Sequence, residues 1–256
     1  MANVATKAGG QADGLRRPQR KAPFPVEFYR SAVGKKYVMA VTGLGLVGFA
    51  FAHMVGNLKM YLGAIPGGGK YAYHLDEYGE FLRELLVPIF PRTVVLWLLR
   101  VGLIVMFALH MHAAYSLTMM NRRARSVGYQ SKRDYVAANF ASRTMRWTGI
   151  IFFLFLAWHL ADFTWGWVNP GFVRGEVYRN VDASLSRIPV GILYVVANLA
   201  LGTHLYHGAW SFFQSIGSNN PRFNKARRSG AMAVAGIIVA GNISFPIAVM
   251  TGIVGI

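Results

Sequence analysis

The sequence predicts an all-α integral membrane protein, a bundle of five transmembrane helices. Of its 256 residues, 54% are hydrophobic and only 14% are charged. Five windows are long enough to cross a bilayer, which takes about 20 apolar residues. The formal net charge of +17 lies mostly between these windows, as is typical of the loops of membrane proteins. Such a charge would indicate nucleic acid only if it lay on one face of a soluble domain, so we expect no nucleic-acid partner.

The five predicted spans lie near residues 37–62, 93–120, 147–168, 189–215 and 231–254. Their nearly continuous hydrophobicity excludes amphipathic surface helices, which would have one polar face. The alternation typical of an outer-membrane barrel is also missing. We therefore expect one transmembrane helical domain over residues 31–256, preceded by a basic and largely disordered cytoplasmic arm over residues 1–30.

The basic residues predict the orientation of the chain. Eight of the 27 lysines and arginines precede the first span, seven lie between spans two and three, and four lie between spans four and five. The same segments contain only three acidic residues, Asp13, Glu27 and Asp134. By the positive-inside rule the N-terminus is cytoplasmic and the C-terminus lies outside. We expect a multi-pass protein of the cytoplasmic membrane whose basic face also contacts anionic lipid.

The chain contains no cysteine, which limits its metal chemistry. Iron–sulfur clusters, thiolate-ligated haem, cysteine-bound zinc and covalent haem attachment all need cysteine. Any metal must therefore be bound by the seven histidines or the ten carboxylates.

Six of the seven histidines fall within predicted spans: His53, His110, His112, His159, His204 and His207. Ionisable groups are costly in hydrocarbon and generally face the interior of a bundle. Spans one and three repeat a pattern, TGLGLVGFAFAH from Thr42 to His53 and TGIIFFLFLAWH from Thr148 to His159. Spans two and four run the other way and share a looser pattern, HMHAAYSL and HLYHGAWSF. In each of these two spans, a small residue lies four positions after the first histidine. In span four this residue is Gly208, and a flat macrocycle could approach the helix there.

The rise of about 1.5 Å per helical residue places the histidines at two depths. His53 and His159 lie roughly 20–25 Å from the cytoplasmic ends of their helices, in the outer half of the membrane. His110 and His204, counted from the outside, lie in the inner half. Two histidine pairs at two depths suit bis-histidine ligation of two stacked haems. Zinc or copper would need three or four ligands at one point.

Three further residues of the spans accompany these pairs. His112 is the alternative to His110, since the two point about 200° apart on a helix. Arg100 lies about 80° from His110, which favours His110 as the ligand and Arg100 as a partner of a haem propionate. His207 can share the face of His204 one turn deeper, where it would donate a hydrogen bond to a propionate or a quinone.

These residues resemble the five-helix, dihaem cytochrome b anchor of succinate:quinone oxidoreductases and fumarate reductases, respiratory complex II. The matching segments are SAVGKKYVMAVTGLGLVGFAFAHMVGNL, HMHAAYSLTMMNRRAR, TGIIFFLFLAWHLADF and HLYHGAWSFFQSIGSNNP. The resemblance implies that His53 and His159 bind the iron of the outer haem, and His110 and His204 that of the inner haem. It also implies a flavoprotein subunit and an iron–sulfur subunit on the cytoplasmic face. This chain would then carry electrons to a membrane quinone, either menaquinone or ubiquinone, while succinate reacts on the flavoprotein subunit. A higher oligomer of the complex is compatible with this role.

Two other functions explain the intramembrane histidines. One is the dihaem cytochrome b anchor of another respiratory dehydrogenase, such as formate dehydrogenase or hydrogenase, with different soluble subunits. The other is a transporter with a histidine relay, which would be colourless when purified.

Quinone chemistry needs a proton donor or acceptor close to a redox centre. The outer loop after span one offers His74, Asp76, Glu77 and Glu80. On the inner side, Ser31 and Trp210 are comparable candidates.

Overall fold

A computed structural model describes residues 22–67, 69–124, 140–218 and 220–256, with backbone alone over residues 140–143. Within this part the chain forms eight α-helices: α1 (Phe24–Arg30), α2 (Ala32–Asn57), α3 (His74–Arg83), α4 (Val94–Arg123), α5 (Phe140–Phe163), α6 (Val177–Leu185), α7 (Ile188–Ser215) and α8 (Asn224–Met250). Short 3-10 helices cover Leu58–Leu62 and Pro221–Phe223. The β-structure of the described residues is limited to an isolated bridge between Ala64 and Tyr73.

The five long helices α2, α4, α5, α7 and α8 are each long and apolar enough to cross a membrane. They confirm the predicted all-α fold with five spans. Their ends differ from the prediction, since α2 begins at Ala32 rather than near 37 and α8 at Asn224 rather than near 231. Both early starts lie in segments with basic residues, Lys35 and Lys36 in one and Lys225, Arg227 and Arg228 in the other, which lower the local hydropathy although the backbone is already helical.

The third span ends at Phe163, five residues before the predicted end at 168. Gly166 has a positive φ of 71°, a conformation that glycine adopts readily and other residues do not. A side chain at this position would also collide with the ring of Phe172. The apolar residues after Phe163 therefore belong to a turn, in which Trp167 N–H donates back to the carbonyl of Ala161 over 2.8 Å.

The long helices pack mainly as neighbours along the chain: α2 against α4, α5 against α7, and α7 against α8. The repeat detected in the sequence thus becomes two helix pairs, α2 with α4 and α5 with α7. Small residues allow close approach, as is common between membrane helices. Gly202 of α7 lies against Val239, and Gly241 of α8 lies against Met54 of α2.

Two short helices cover the end of the bundle formed by the α2–α4 and α5–α7 connections, which we call the outer end. Helix α3 packs against α6, and the Asp76 carboxylate accepts a hydrogen bond from the backbone N–H of Tyr178 over 2.9 Å. The rings of Tyr73 and Tyr178 stack at 4.0 Å. The sequence predicted only loops here.

The other end of the bundle, which we call the basic end, begins with α1. Ser31 separates α1 from α2 and caps α2 by accepting from Gly34 N–H over 2.9 Å. The ammonium of Lys35 donates to the carbonyl of Tyr29 over 2.8 Å. Seven residues of the arm expected to be disordered are therefore helical, while residues 1–21 lie outside the described part of the chain.

Candidate functional site

Four of the intramembrane histidines meet in two pairs. We call His110 and His204 the inner pair and His53 and His159 the outer pair. The ring centres of the inner pair are 6.5 Å apart with planes inclined at 66°. Those of the outer pair are 5.9 Å apart and nearly perpendicular, at 89°. The fold therefore joins α4 to α7 through one pair and α2 to α5 through the other.

The imidazole of His110 is held by the Thr-Gly motif of α2. Its Nδ1 lies 3.1 Å from the carbonyl oxygen of Met39 and 3.3 Å from Oγ1 of Thr42. The Thr42 hydroxyl donates to the carbonyl of Val38 over 2.6 Å, so its oxygen accepts from the imidazole. Both neighbours then require a proton on Nδ1, which leaves the lone pair of Nε2 free to bind a metal.

His204 of α7 is held in the same way by the Thr-Gly motif of α5. Its Nδ1 lies 3.5 Å from Oγ1 of Thr148, whose hydroxyl donates to the carbonyl of Met145 over 3.1 Å. Thr42 and Thr148 are both buried. Each Thr-Gly motif thus contacts the inner histidine of the next membrane helix. The outer histidine lies on the motif's own helix, eleven residues after the threonine.

The glycines of the two motifs lie directly against these rings. A Cβ on Gly43 would be 3.2 Å from Cε1 of His110, and one on Gly149 would be 3.4 Å from Cε1 of His204. A side chain at either position would crowd the imidazole. Glycine is therefore suited to let the imidazole approach the backbone of the neighbouring helix.

The outer pair lies among aromatic rings. His159 packs against Phe155, Phe163 and Tyr194, with ring centres 5.4–6.0 Å apart. Its Nδ1 lies 3.4 Å from the Tyr194 hydroxyl. The ring of His53 stacks on Phe49 at 5.5 Å and has no hydrogen-bond partner within the described residues.

The two pairs lie at different depths. Thr42 contacts His110 and therefore marks the level of the inner pair on α2, and His53 follows eleven residues later. The helical rise places the outer pair about 16 Å further along the bundle. The same separation holds on α5 between Thr148 and His159.

The spacing within each pair fits a metal bound between two imidazoles. With metal–nitrogen bonds of about 2 Å, the two ring centres would be roughly 6 Å apart. Across the described part of the chain, no three histidine or carboxylate groups converge as a metal cage requires. A haem needs only two axial protein ligands, and the residues present therefore fit haem.

His112, the alternative to His110, lies away from the inner pair. Its side chain is exposed, and its Nδ1 lies 2.5 Å from the hydroxyl of Tyr29. The two rings stack at 5.7 Å. This contact attaches α1 to α4.

The three other cofactor candidates lie on α4 and α7, the helices that carry the inner pair. His207 is three residues from His204 toward the basic end, and its buried Nδ1 has no partner among the described residues. The guanidinium of Arg100 lies over the ring of Trp97 at 5.1 Å. Ten helical residues, about 15 Å, separate Arg100 from His110, which places Arg100 near the level of the outer pair. A Cβ on Gly208 would be 3.9 Å from the Met145 methyl, an ordinary contact.

Two of the four outer-loop candidates for quinone chemistry make extensive structural contacts. Asp76 binds the first turn of α6, as described above. Buried Glu80 accepts from Arg92 and from Arg83, the latter over 2.8 Å. Arg92 and then Arg83 hold the pKa of Glu80 below its usual value.

The other two outer-loop candidates contact each other, since Nδ1 of His74 lies 3.4 Å from the Glu77 carboxylate. An open cavity of about 500 Å³ is lined by Asp76 together with Lys70 and Arg179, and its lining includes no histidine.

At the basic end, the two quinone candidates are also partnered. Ser31 caps α2 and donates to the carbonyl of Phe28 over 2.7 Å. The ring of Trp210 lies under the guanidinium of Arg228 at 4.8 Å.

The structure adds a buried polar network that the sequence interpretation did not identify. Asp162 is completely buried. Its Oδ2 accepts from the hydroxyls of Ser184 over 2.6 Å and Tyr194 over 2.8 Å, and its Oδ1 lies 3.5 Å from the guanidinium of Arg187. An acidic residue three positions after His159, at the end of an apolar window, was the signal that could have indicated it.

Comparison with known families gives one match, to a family described as the succinate dehydrogenase/fumarate reductase transmembrane subunit. It covers residues 119–243, from the end of α4 through most of α8, and includes His159 and His204. Neither the curated proteins nor the solved structures gave a match. The five apolar helices make the chain a multi-pass integral membrane protein. Together with the family match, they confirm the resemblance seen in the sequence: residues 119–243 are similar to the succinate dehydrogenase/fumarate reductase transmembrane subunits.

Proposed function

We propose that this subunit binds two b-type haems and carries electrons between a cytoplasmic iron–sulfur subunit and a membrane quinone. The observation that supports this most strongly is that four histidines form two pairs, about 16 Å apart along the bundle. The ring centres are 5.9 Å apart in one pair and 6.5 Å apart in the other. His110 and His204 would bind the inner haem iron, and His53 and His159 the outer. Each haem would supply a carrier that takes up and releases one electron.

The residues around the ligands prepare them for this role. Met39 and Thr42 orient His110, and Thr148 orients His204, so that Nε2 of each ring can bind iron. His110 suits this role better than His112, whose Nδ1 is in contact with Tyr29. The aromatic rings around the outer pair would limit the access of water there, which helps to set the redox potential of a metal site.

Polar groups near the pairs would bind the rest of each cofactor. We assign the unpartnered Nδ1 of His207 to a propionate or a quinone near the inner pair. Arg100 lies at the level of the outer pair and suits a propionate there, and Gly208 remains a position where a macrocycle could approach. The structural contacts of Asp76, Glu80 and Ser31 make them weaker quinone candidates than Trp210, His74 or Glu77. The quinone would be menaquinone or ubiquinone.

The absence of cysteine from the chain indicates that other subunits carry the iron–sulfur clusters. Without cysteine it cannot ligate iron–sulfur clusters, so these would lie in a second subunit, and the dicarboxylate would react on a flavoprotein subunit. We place both partners at the basic end, on the cytoplasmic side of the cytoplasmic membrane. A haem held by the inner pair would then lie nearer to these partners than one held by the outer pair.

The electron-transfer role can be tested on the purified complex. Succinate should reduce a b-type haem spectrum, and an added quinone should reoxidise it. A colourless complex would contradict the proposal. So would a b-type complex whose soluble subunits contain molybdenum or nickel, because that would identify the anchor of another dehydrogenase.

The orientation can be tested by cysteine labelling, since the chain has no cysteine of its own. Gly69 at the outer end has open space around it, and Ser218 at the basic end is exposed. A membrane-impermeant maleimide should label Gly69→Cys but not Ser218→Cys on the outside of intact cells. The opposite pattern would reverse the topology.

A further inference from the structure

The buried Asp162 network connects the outer pair to a charged group. Asp162 and His159 lie on α5, Tyr194 on α7 and Ser184 on α6. Burial of a carboxylate is costly unless it is paired and hydrogen-bonded. Here two hydroxyls donate to Oδ2, and Oδ1 forms an ion pair with the guanidinium of Arg187 without a hydrogen bond among the described residues.

The hydrogen bonds of this network have a definite direction. The Asp162 carboxylate, paired with Arg187, can only accept, so the Tyr194 hydroxyl donates its proton to it over 2.8 Å. The Tyr194 oxygen is then left to accept, and its neighbour is Nδ1 of His159 at 3.4 Å. A proton on Nδ1 leaves Nε2 of His159 as the nitrogen that can bind a metal.

Within the described part of the chain, the hydrogen-bond contacts of the inner pair include no charged side chain. Nδ1 of His110 contacts the Met39 carbonyl and the Thr42 hydroxyl, and Nδ1 of His204 contacts the Thr148 hydroxyl. All of these groups are neutral. The two pairs therefore differ in the groups that contact Nδ1. At the inner pair these groups are neutral, whereas at the outer pair Nδ1 of His159 contacts a tyrosine that is hydrogen-bonded to a carboxylate.

We propose that Asp162 and Tyr194 are positioning residues for His159, which make its imidazole a stronger electron donor and lower the midpoint potential of the haem bound there. This inference rests on the proposed function, because it assumes a haem between His53 and His159. Its basis is that a hydrogen bond from the second ring nitrogen of a metal-bound imidazole fixes the ring and raises its basicity; here the acceptor is the Tyr194 oxygen, whose own proton is donated to the Asp162 carboxylate. A more basic ligand stabilises the more highly charged, oxidised metal.

The test is Tyr194→Phe in the complete complex, followed by spectroscopic redox titration and low-temperature electron paramagnetic resonance. This substitution keeps the ring and leaves the Asp162 carboxylate in place, so any direct field of that charge is retained. We expect two haems, with the midpoint potential of one raised, its resonance signal changed, and the other haem unaltered. The altered haem should be the one that His159→Ala removes.

Tyr61→Phe is the matched control, because this tyrosine also lies toward the outer end and donates to Ser244 over 2.7 Å. It should leave both potentials unchanged. Asp162→Asn is a second variant that should raise the potential of the same haem.

Two results separate this inference from the function on which it rests. If the wild-type complex contains two haems and Tyr194→Phe changes neither, or changes no more than Tyr61→Phe does, the inference is wrong and the proposed function stands. If the wild-type complex contains no haem, both are wrong.

Discussion

Oγ1 of Thr42 lies 3.3 Å from Nδ1 of His110, and this contact between the first two spans has a counterpart between Thr148 and His204 at 3.5 Å. The sequence repeat is therefore a repeat of contacts between helices. Each Thr-Gly motif supports a histidine of the next membrane helix, and each helix with such a motif carries an outer histidine eleven residues later. Two similar helix pairs place four histidines at two depths.

The first prediction concerns the pairing of the ligands. His53→Ala and His159→Ala should each remove the same haem, whereas His110→Ala and His204→Ala should each remove the other. Difference spectra of the purified variants would show which haem is lost. His112→Ala is the matched control and should retain both haems, because His112 contacts Tyr29. Different spectral losses for His53→Ala and His159→Ala would refute the outer pair.

The second prediction concerns the glycine beside the inner pair. Gly43→Ala would place a methyl group 3.2 Å from the His110 ring, so the imidazole must shift by a few tenths of an ångström. We expect a changed absorption spectrum for the same haem that His110→Ala removes. Gly48→Ala is the control on the same helix, since its Cβ would have no neighbour within 4 Å. Equal spectra for the two variants would contradict close contact at Gly43.

The third prediction concerns the stability of the outer end. Arg187→Ala would leave the buried Asp162 carboxylate without its ionic partner, which should lower the free energy of unfolding by on the order of 3 kcal/mol. Arg179→Ala is the control, because its ion pair with Glu176 is exposed and such pairs contribute about 0–1 kcal/mol. Thermal unfolding in detergent would compare them. Equal unfolding temperatures would show that Arg187 does not compensate Asp162.

The fourth prediction concerns pH. The pKa of Glu80 in the folded protein is below its ordinary value of 4.5, owing to Arg92 and Arg83. The stabilisation of the folded protein by ionised Glu80 is therefore present above pH 4.5 and is lost as the pH falls through the depressed pKa. Hydrogen exchange of α3 should accelerate over that acidic range in the wild type, and Glu80→Gln should remove this dependence. Glu77→Gln, at an exposed position, should retain it.

Hydropathy was sufficient to predict the five spans, because the cost of burying polar backbone in lipid selects long apolar helices. It could not predict where α5 ends, because the residues after Phe163 remain apolar while Gly166 turns the chain. The short helices α3 and α6 depend on contacts with each other, and a loop sequence does not show these.

The ligand candidates were predictable from spacing, since a repeat fixes equivalent positions on parallel helices. Their supporting residues were not, because these come from other helices. Helical angles favoured His110 over His112, but the contact of His112 with Tyr29 depends on how α1 packs against α4. Tyr194 is 32 residues from Asp162 in the sequence, and only the folded bundle brings it to Asp162 and His159.

A pyridine haemochrome assay on the purified complex, normalised to the amount of this subunit, measures whether each chain binds two haems between its two histidine pairs. We predict two protohaems per chain in the wild type and one after replacement of either His159 or His204. Fewer than two protohaems per chain in the wild type would contradict the binding of a haem by each pair.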